Sequence, residues 1–348
     1  MILTLIVQQS LAAQVTLTAD GPGSTYELIT SVLAPGYNPI EVPDCNHVSF
    51  GRHIDEIFDT DLNTNVFRFL IHVTPDDDRC INFDRQRNEI KSYDKSPDNL
   101  LGIEGEIVQY KWKFKLDANF QVSSSFTHLH QLKSVGGSLA SMPMYTLTAR
   151  KSSPDRLELR YAETSTQVTL TQTDLAPFKG AWLEVTETIT YGTSGTYSIE
   201  ISRVSDGVTL LNYSDNNIVN WRPAADFVRP KWGIYRSLNS SSDLRDEEVL
   251  FADFSIQELP SLSTNDYELY VNKINIDPNP IKDSITINDD DISTFNQLII
   301  YNTLGKIISS KKNIAQKTID VSYLSKGLYF FVFKKDEKIV SMNKLVVK

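Results

Sequence analysis

Short runs of alternating hydrophobic and polar residues recur from about residue 20 to residue 258. Clusters of Pro, Gly, Asn and Asp separate the runs, and helical periodicity is scarce. Side chains alternate across a strand, so this pattern predicts strands with one buried face. The clearest runs are 66–72, 108–115, 146–150, 157–161, 182–187, 197–202 and 249–256. We therefore predict an all-β domain over 20–258, folded as a two-sheet β-jelly roll sandwich.

One helix is predicted among these strands, over residues 24–33. Ser24 is a favourable N-cap residue, and Glu27 follows it three residues later. Together they form the capping-box pattern, in which each side chain bonds the other residue's backbone N–H.

The C-terminal part predicts a second, smaller β-sandwich. A polar linker is expected at 259–271 and the second domain at 272–348, with strands at 284–287, 298–301 and 327–333. The Pro278-Asn279-Pro280 motif, the segments 301–306 and 324–330, and the basic last strand resemble the C-terminal sorting domain of the type IX secretion system. The resemblance implies export by that machinery across an outer membrane, followed by removal of the tail. A small carbohydrate-binding sandwich is the alternative.

Length and charge narrow the class of protein. The chain has 348 residues, 41% of them hydrophobic, which suits two globular domains. A formal net charge of −10 argues against a general nucleic-acid binder, although a local cationic cleft remains compatible with an anionic substrate. Residues 1–13 resemble a signal peptide without its basic start, and the alternative is a cytosolic N-terminal strand. We expect no transmembrane segment and a secreted or cell-surface location.

Cysteines and acidic residues give weaker indications. Cys45 and Cys80 are expected to form a disulfide in a secreted protein, with two buried thiols as the alternative. No Cys-x-x-Cys pair occurs, which disfavours a structural zinc site. The run 76–79 offers carboxylates to Ca²⁺, but a solvated turn after Pro75 is the preferred interpretation. No cofactor is certain, and Ca²⁺ is the one candidate.

Three short segments carry an unusual alternation of ionisable residues. Within each segment these residues are two or four positions apart, so they share one face of a strand. If the three strands lie in one sheet, that face presents cations, imidazoles and a phenol together, which suits a groove that binds an acidic polymer and transfers protons. The residues are Arg87, Glu89, Lys91, His128, His130, Lys231 and Tyr235.

These residue types match the needs of β-elimination on a polymer of uronic acids. A base removes the proton at C5, a cation or amide neutralises the carboxylate, and an acid protonates the leaving O4. His or Tyr can serve as base or acid, and Arg, Lys, Asn, Gln or protonated His can face the carboxylate.

The three segments also resemble the signature segments of jelly-roll alginate lyases. The wider stretches 84–91, 126–133 and 229–236 are most similar to short jelly-roll ulvan lyases and are related to fungal-type glucuronan lyases. The resemblance implies Tyr235 as the catalytic acid and as a candidate base, and His130 as the base or the partner of the carboxylate. It implies that Arg87 and Lys231 bind the uronate.

The remaining site residues are assigned more loosely. His128 stands where the alginate enzymes usually carry Gln, which leaves the carboxylate neutraliser open. Glu89 is expected to hold Arg87 or Lys91 in place. Gln131 and Lys133 complete the predicted substrate-binding set, although a regular pleat would turn Gln131 to the opposite face.

The sequence thus predicts a secreted, endo-acting polysaccharide lyase acting on ulvan, a sulfated algal polymer that contains uronic acids. Glucuronan and alginate are the alternative substrates. A non-catalytic carbohydrate-binding sandwich is the alternative class, since the fold hosts both. A glycoside hydrolase is disfavoured because it needs two facing carboxylates, and Glu89 is the one acidic residue on the predicted face.

Overall fold

The computed structural model describes residues 14–259, 274, 276–287, 294–303, 306–312, 314, 316–335 and 338–348. The chain divides into two compact units, Met1–Ser261 and Leu262–Lys348. The predicted signal peptide and residues 260–271 of the predicted linker lie outside the described residues.

Two antiparallel sheets form the first unit, with strands numbered in chain order. The eight-stranded back sheet contains β1 (Gln14–Leu17), β3 (Ile54–Asp59), β4 (Thr64–Ile71), β6 (Ile107–Leu116), β11 (Trp182–Thr190), β12 (Gly195–Arg203), β13 (Thr209–Ile218) and β15 (Glu247–Leu259). The seven-stranded front sheet contains β2 (Ile40–Glu41), β5 (Arg85–Lys91), β7 (Thr127–Val135), β8 (Tyr145–Arg150), β9 (Arg156–Tyr161), β10 (Val168–Asp174) and β14 (Phe227–Ser237).

The order of strands places distant segments side by side. The back sheet runs β13-β12-β11-β6-β15-β4-β3, with β1 also paired to β15, and the front sheet runs β10-β9-β8-β7-β14-β5-β2. The predicted two-sheet jelly roll is confirmed.

The hydrophobic core lies between the two sheets. Alternate residues of the long strands are buried, as in β6, where Tyr110, Trp112 and Phe114 are almost fully buried. Rings of opposite sheets meet there: Trp112 of β6 lies 6.0 Å from Trp232 of β14, centroid to centroid. Trp232 is fully buried in this core.

The predicted helix is present as α1, Thr25–Leu33, directly after Ser24. Its capping box is not formed, because the Ser24 side chain makes no capping hydrogen bond. The Glu27 carboxylate instead accepts two hydrogen bonds from Arg52 at 2.6 and 2.7 Å. Helix α1 packs with Ile29 and Leu33 in the core of the first unit.

The second unit is a small sandwich of two sheets with its own core. A three-stranded sheet has the order β16-β17-β20 and a four-stranded sheet the order β19-β18-β21-β22. The strands are β16 (Ile276–Asp277), β17 (Ser284–Ile287), β18 (Gln297–Asn302), β19 (Ile307–Lys312), β20 (Thr318–Asp320), β21 (Gly327–Lys335) and β22 (Lys338–Val347). In the described part of the chain, no helix has the length and hydropathy needed to cross a bilayer.

Candidate active site

The three polar segments lie on adjacent strands, as the sequence predicts. They form β7, β14 and β5, which are neighbours in the front sheet. Tyr235 of β14 is paired with Arg87 of β5 on one side and with His128 of β7 on the other. Residues from three distant parts of the chain therefore meet on one surface.

A β-bulge in β7 changes which side chains reach that surface. The pairing with β8 skips Leu129 between His128 and His130, so one extra residue interrupts the pleat. Leu129 and His130 are both about 1% exposed, and Leu129 belongs to the core between the sheets. Beyond the bulge, Gln131 returns to the outer face.

His130 does not share the face of Tyr235, so that expectation is wrong. Its Nε2 lies 2.8 Å from Oε2 of Glu187, a residue of the back sheet. Its ring packs 4.4 Å from that of Trp112, centroid to centroid. The other oxygen of Glu187 accepts a hydrogen bond from the Tyr197 hydroxyl at 2.7 Å. His130 is thus part of a buried polar network between the sheets, because the bulge turned it inward.

Glycine is required at position 233, between the two polar residues of β14. A Cβ atom there would lie 2.1 Å from the carbonyl oxygen of Asn88 on β5, and the residue has φ +145°. The close approach of β14 to β5 that brings Tyr235 next to Arg87 therefore depends on Gly233.

The buried carboxylates of Glu41 and Glu89 form ion pairs with most of the predicted cations, beneath the outer surface of the front sheet. Nζ of Lys231 lies 2.7 Å from Oε2 of Glu89 and also contacts Glu41 of β2. Nζ of Lys91 lies 2.8 Å from Oε1 of Glu41. Arg87 contacts Glu89, as expected for the carboxylate that holds it. These ion pairs occupy the ammonium groups of Lys91 and Lys231.

The charges of this network maintain its carboxylates in the ionised form. Burial raises the pKa of Glu41, but the charges of Lys231, Arg87 and Lys91 outweigh burial and hold it well below its usual range. The same balance between burial and the charges of Lys231 and Arg87 lowers the pKa of Glu89. Both carboxylates are therefore ionised and paired, and three cations surround the two of them.

A cavity of about 260 Å³ opens above this network. It is lined by Arg85, Arg87, Phe126, His128, Gln131, Lys133, Ser141, Met142, Pro143, Gln167 and Tyr235. Lys91, Lys231 and His130 are not among these residues. The structure thus brings five of the predicted site residues to the cavity: Arg87, His128, Gln131, Lys133 and Tyr235.

Tyr235 lies at the centre of the cavity's polar groups. Its hydroxyl accepts a hydrogen bond from Nη1 of Arg85 at 3.0 Å. The guanidinium of Arg87 lies 3.6 Å from its ring centroid, in cation–π geometry. Burial raises the pKa of the phenol, and the opposing charges of Arg87 and Arg85 do not cancel that effect. The phenol is therefore protonated at neutral pH.

His128 stands beside Tyr235, with ring centroids 5.8 Å apart. Phe126 stacks on the imidazole at 4.8 Å. Burial, and then the charges of Arg87, Arg150 and Arg160, lower its pKa to about 3 despite the opposing charge of Glu89. The imidazole is neutral at physiological pH, and its buried Nδ1 has no hydrogen-bond partner among the described residues.

Two further predicted residues of β7 line the cavity. The Gln131 amide donates a hydrogen bond to Glu89, which fixes its side chain on the outer face. Lys133 is partly exposed, and burial together with the charges of Lys231 and Arg87 lowers its pKa to about 8. Lys133 therefore begins to lose its charge only slightly above neutral pH.

A second cavity of about 120 Å³ adjoins the first and shares Phe126, His128 and Gln167 with it. Arg150 and Arg160 line this cavity, and both lie near the carboxylate of Glu158, at 3.6 and 3.0 Å. The cationic surface thus continues from β5 past β7 onto β8 and β9.

Sequence reasoning missed Arg85, Phe126 and Gln167 as cavity residues. Arg85 could have been found, since it precedes Arg87 by two positions and so extends the same face of β5. Gln167 lies in the loop before β10 and carries no pattern that would have identified it.

The loop before β5 is tied to the rest of the first unit by the predicted disulfide. Cys45 and Cys80 are bonded, with Cα atoms 6.3 Å apart. The neighbouring carboxylates do not converge on one point: Asp76 faces histidines, Asp77 accepts the Cys80 N–H, and Asp78 binds Arg87 at 2.8 Å. This divergence does not favour the candidate Ca²⁺ site at 76–79.

Comparison with known proteins identifies the tail. Residues 275–348 match the family model described as "Secretion system C-terminal sorting domain". The match confirms the predicted sorting tail and indicates secretion or attachment to the cell surface. A sequence comparison with curated proteins gives no significant match.

Several solved structures resemble the first unit in fold. A PL-14 alginate lyase from Aplysia kurodai aligns with a TM-score of 0.50 at 14% identity, covering 71% of this chain and 100% of that one. An endo-β-1,4-glucuronan lyase from the fungus Trichoderma reesei gives 0.44 at 15% identity, covering 59% and 87%. A family 7 alginate lyase, A1-II′, gives 0.43 at 14% identity, covering 63% and 91%. At these identities the likeness concerns the fold, and the first alignment supports the jelly roll.

Proposed function

We propose that the first unit is a polysaccharide lyase that cleaves a uronic-acid polymer by β-elimination. Tyr235 is the acid and His128 is the base. The observation that carries the proposal is a protonated phenol beside a neutral imidazole, 5.8 Å apart between ring centroids, in a cavity lined with cations. Such a pair can remove one proton and deliver another without a metal-bound nucleophile.

The reaction breaks the C5–H and C4–O4 bonds and forms a C4=C5 double bond. His128 accepts the C5 proton, and the electron pair left on C5 forms the double bond as O4 departs. Tyr235 gives its proton to O4, so the leaving chain ends in a hydroxyl group. The raised pKa of Tyr235 keeps this proton available at neutral pH.

The low pKa of His128 in the free protein suits this role once substrate is bound. A uronate carboxylate brings a negative charge close to the ring and raises the pKa of the imidazole. The imidazole is then neutral before binding and basic enough to take a proton within the complex. His130, predicted as the base from the sequence, is engaged by Glu187 between the sheets.

The uronate carboxylate needs a neutralising group, because negative charge develops on it in the transition state. Among the described residues Lys133 has no ion pair, and Arg85 lines the cavity beside Tyr235 while paired with Asp84. We assign the carboxylate to Lys133 and Arg85, with the Gln131 amide beside them. Arg87 supports Tyr235 from below, and Lys91 and Lys231 support the sheet through Glu41 and Glu89.

The lining of the cavity argues against hydrolysis. A glycoside hydrolase uses two carboxyl groups about 5–10 Å apart across the bond. Among the described residues that line the two cavities there is no Asp or Glu. Glu89 lies below the surface with both oxygens bonded, to Gln131 and to Arg87 and Lys231.

Ulvan is the substrate we propose. Its sulfate and carboxylate groups call for several cations, and the joined cavities offer Arg85, Lys133, Arg150 and Arg160. The resemblance of the three segments to ulvan lyases also favours it. Glucuronan and alginate are the alternatives. We further propose that export uses the type IX machinery, with the C-terminal unit as its signal.

The test is the formation of unsaturated uronyl ends, which absorb in the ultraviolet. The protein is incubated with ulvan, glucuronan and alginate in turn, and product size shows whether cleavage is internal. We expect absorbance to rise with ulvan and early products to be mixed oligomers. Binding measured by calorimetry without any rise in absorbance on the three polymers would instead identify a carbohydrate-binding module.

A further inference from the structure

A second cluster of ionisable groups lies outside the cavity and plays no part in the proposed reaction. Three of the five histidines of the chain, His47, His53 and His72, surround the carboxylate of Asp76. His47 follows β2, His53 precedes β3, and His72 directly follows β4. One ligand atom from each of the four residues lies within 4.8 Å of all the others.

The spacing of the polar atoms in the cluster leaves room for one ion between them. Nδ1 of His47 lies 2.8 Å and Nε2 of His53 lies 3.2 Å from Oδ1 of Asp76, and Nδ1 of His72 lies 3.1 Å from Oδ2. A zinc ion with bonds of about 2.0–2.1 Å to nitrogen and oxygen holds its ligand atoms roughly 3.3 Å apart. Four nitrogen and oxygen donors that all lie within 4.8 Å of one another can surround one ion.

The outer surroundings of His53 also fit metal ligation. Its second nitrogen, Nδ1, lies 2.7 Å from Oδ1 of Asp44. A carboxylate that accepts the N–H of one ring nitrogen fixes the tautomer of the histidine. The other ring nitrogen, here Nε2, then has a free lone pair for the metal. Its backbone is fixed too, because the amide of Asn88 donates to the carbonyl of His53 at 2.8 Å.

The position of Asp76 is fixed in the same way. The Gln86 amide donates to the Asp76 carbonyl at 2.9 Å, so strand β5 holds the loop that carries this ligand. The Asp76 side chain is fully buried, and so is that of His53. Both side chains come from separate segments and make polar contacts within the cluster, Asp76 with all three histidines, and these are the contacts that an ion between them would replace.

We propose that His47, His53, His72 and Asp76 form a zinc-binding site with four protein ligands. Imidazole nitrogens favour zinc and related transition metals, whereas Ca²⁺ prefers an all-oxygen shell. Four ligands fill the tetrahedron, which makes the site structural rather than catalytic. The aromatic ring of Phe50 covers it, with centroids 4.7 Å from His53 and 4.4 Å from His72.

The zinc joins segments that support the proposed active site. Asp76 lies two residues before Asp78, which binds Nε of Arg87 at 2.8 Å. The backbone carbonyl of Asp77 accepts the Arg87 N–H at 3.2 Å. A metal at Asp76 would therefore fix the loop that holds Arg87 beneath Tyr235. The absence of Cys-x-x-Cys pairs led sequence reasoning away from zinc, but here the ligands are histidines.

Metal binding is tested on the full chain, stripped with a chelator and dialysed. We expect the wild-type protein to take up one zinc per chain by elemental analysis, and Co²⁺ to give the visible absorption of a tetrahedral site. Ca²⁺ and Mg²⁺ should not compete. Zinc should also raise the melting temperature of the stripped protein. A wild-type chain that takes up no stoichiometric zinc would overturn the proposal.

Variants locate the site. His47 and His72 have side chains 18% and 19% exposed, so His47→Gln and His72→Gln should fold, as circular dichroism would verify. Both should lose stoichiometric zinc. Asp44→Asn should bind roughly 10–100-fold more weakly, the usual effect of losing such a carboxylate. His128→Gln is the matched control and should bind zinc like the wild type. Folded ligand variants with wild-type affinity would refute this assignment.

Discussion

Replacing Tyr235 with Phe tests the proposed chemistry most directly. The substitution removes the hydroxyl and its 3.0 Å hydrogen bond from Arg85, while the ring, with Arg87 at 3.6 Å and Phe126 at 5.1 Å, remains. Arg85 keeps its ion pair with Asp84 at 2.7 Å, so no group is left buried and unpaired. The loss in folding free energy should be about 1 kcal/mol.

The loss in rate should be much larger. A positioned acid contributes roughly 10²–10⁴-fold, and each tenfold corresponds to about 1.4 kcal/mol of activation free energy, so the barrier should rise by about 3–5 kcal/mol. The assay follows the ultraviolet absorbance of unsaturated uronyl ends at saturating substrate. KM should change little, because the phenol acts mainly in the transition state.

Tyr145→Phe is the matched control on the same sheet. Tyr145 faces the core, where its hydroxyl donates to Asn220 at 2.6 Å and its ring stacks on Tyr197 at 4.0 Å. This variant should melt at a lower temperature and keep its kcat. A Tyr235→Phe enzyme with kcat within tenfold of the wild type, or a control that loses kcat equally, would refute the assignment of Tyr235 as the acid.

Four further outcomes follow from the site. His128→Gln should lower kcat by about 10²-fold or more with little loss of stability. His130→Gln should mainly destabilise the fold, lowering the free energy of unfolding by about 1–3 kcal/mol and with it the melting temperature. The reverse result would contradict the two roles. Below pH 8 Lys133 carries its charge, so kcat/KM on polyanion should fall as pH rises through about 8, and Lys133→Arg should remove that fall. KM should rise with salt as the cavity's cations are screened, and a flat salt profile would argue against them. A chain ending at Ser261 should keep kcat on soluble polymer, because β15 and the whole cavity precede that residue; loss of most activity in a folded protein would contradict this.

Much of the architecture could be predicted from alternation alone. An alternating pattern identifies a strand without any knowledge of its pairing partners. The three polar segments carry similar sets of ionisable residues, which indicates that their strands are adjacent in one sheet. That is why the jelly roll and the meeting of Arg87, His128 and Tyr235 were predictable. The glycine at 233 fits the same prediction, since it permits the close approach of β14 to β5.

The errors come from two physical causes. A bulge at Leu129 breaks the pleat, and a rule of strict alternation then places His130 on the wrong face. The ion pair between Lys231 and Glu41 could not be predicted from the sequence, because the two residues are 190 positions apart and become neighbours only when the sheet forms. The cluster of His47, His53, His72 and Asp76 spans only 29 positions, but its residues follow no common spacing and meet only in the folded chain.

The bridge between Cys45 and Cys80 has a consequence for how the protein is made. Its sequence separation of 35 means that cross-linking removes about 4 kcal/mol of chain entropy from the unfolded state, on a loop-closure argument. In a reducing cytosol both thiols stay reduced, so a newly made chain lacks that contribution until it is exported. Protein produced for study in the cytosol of a host will therefore be less resistant to heat than protein matured outside it, even with an identical sequence.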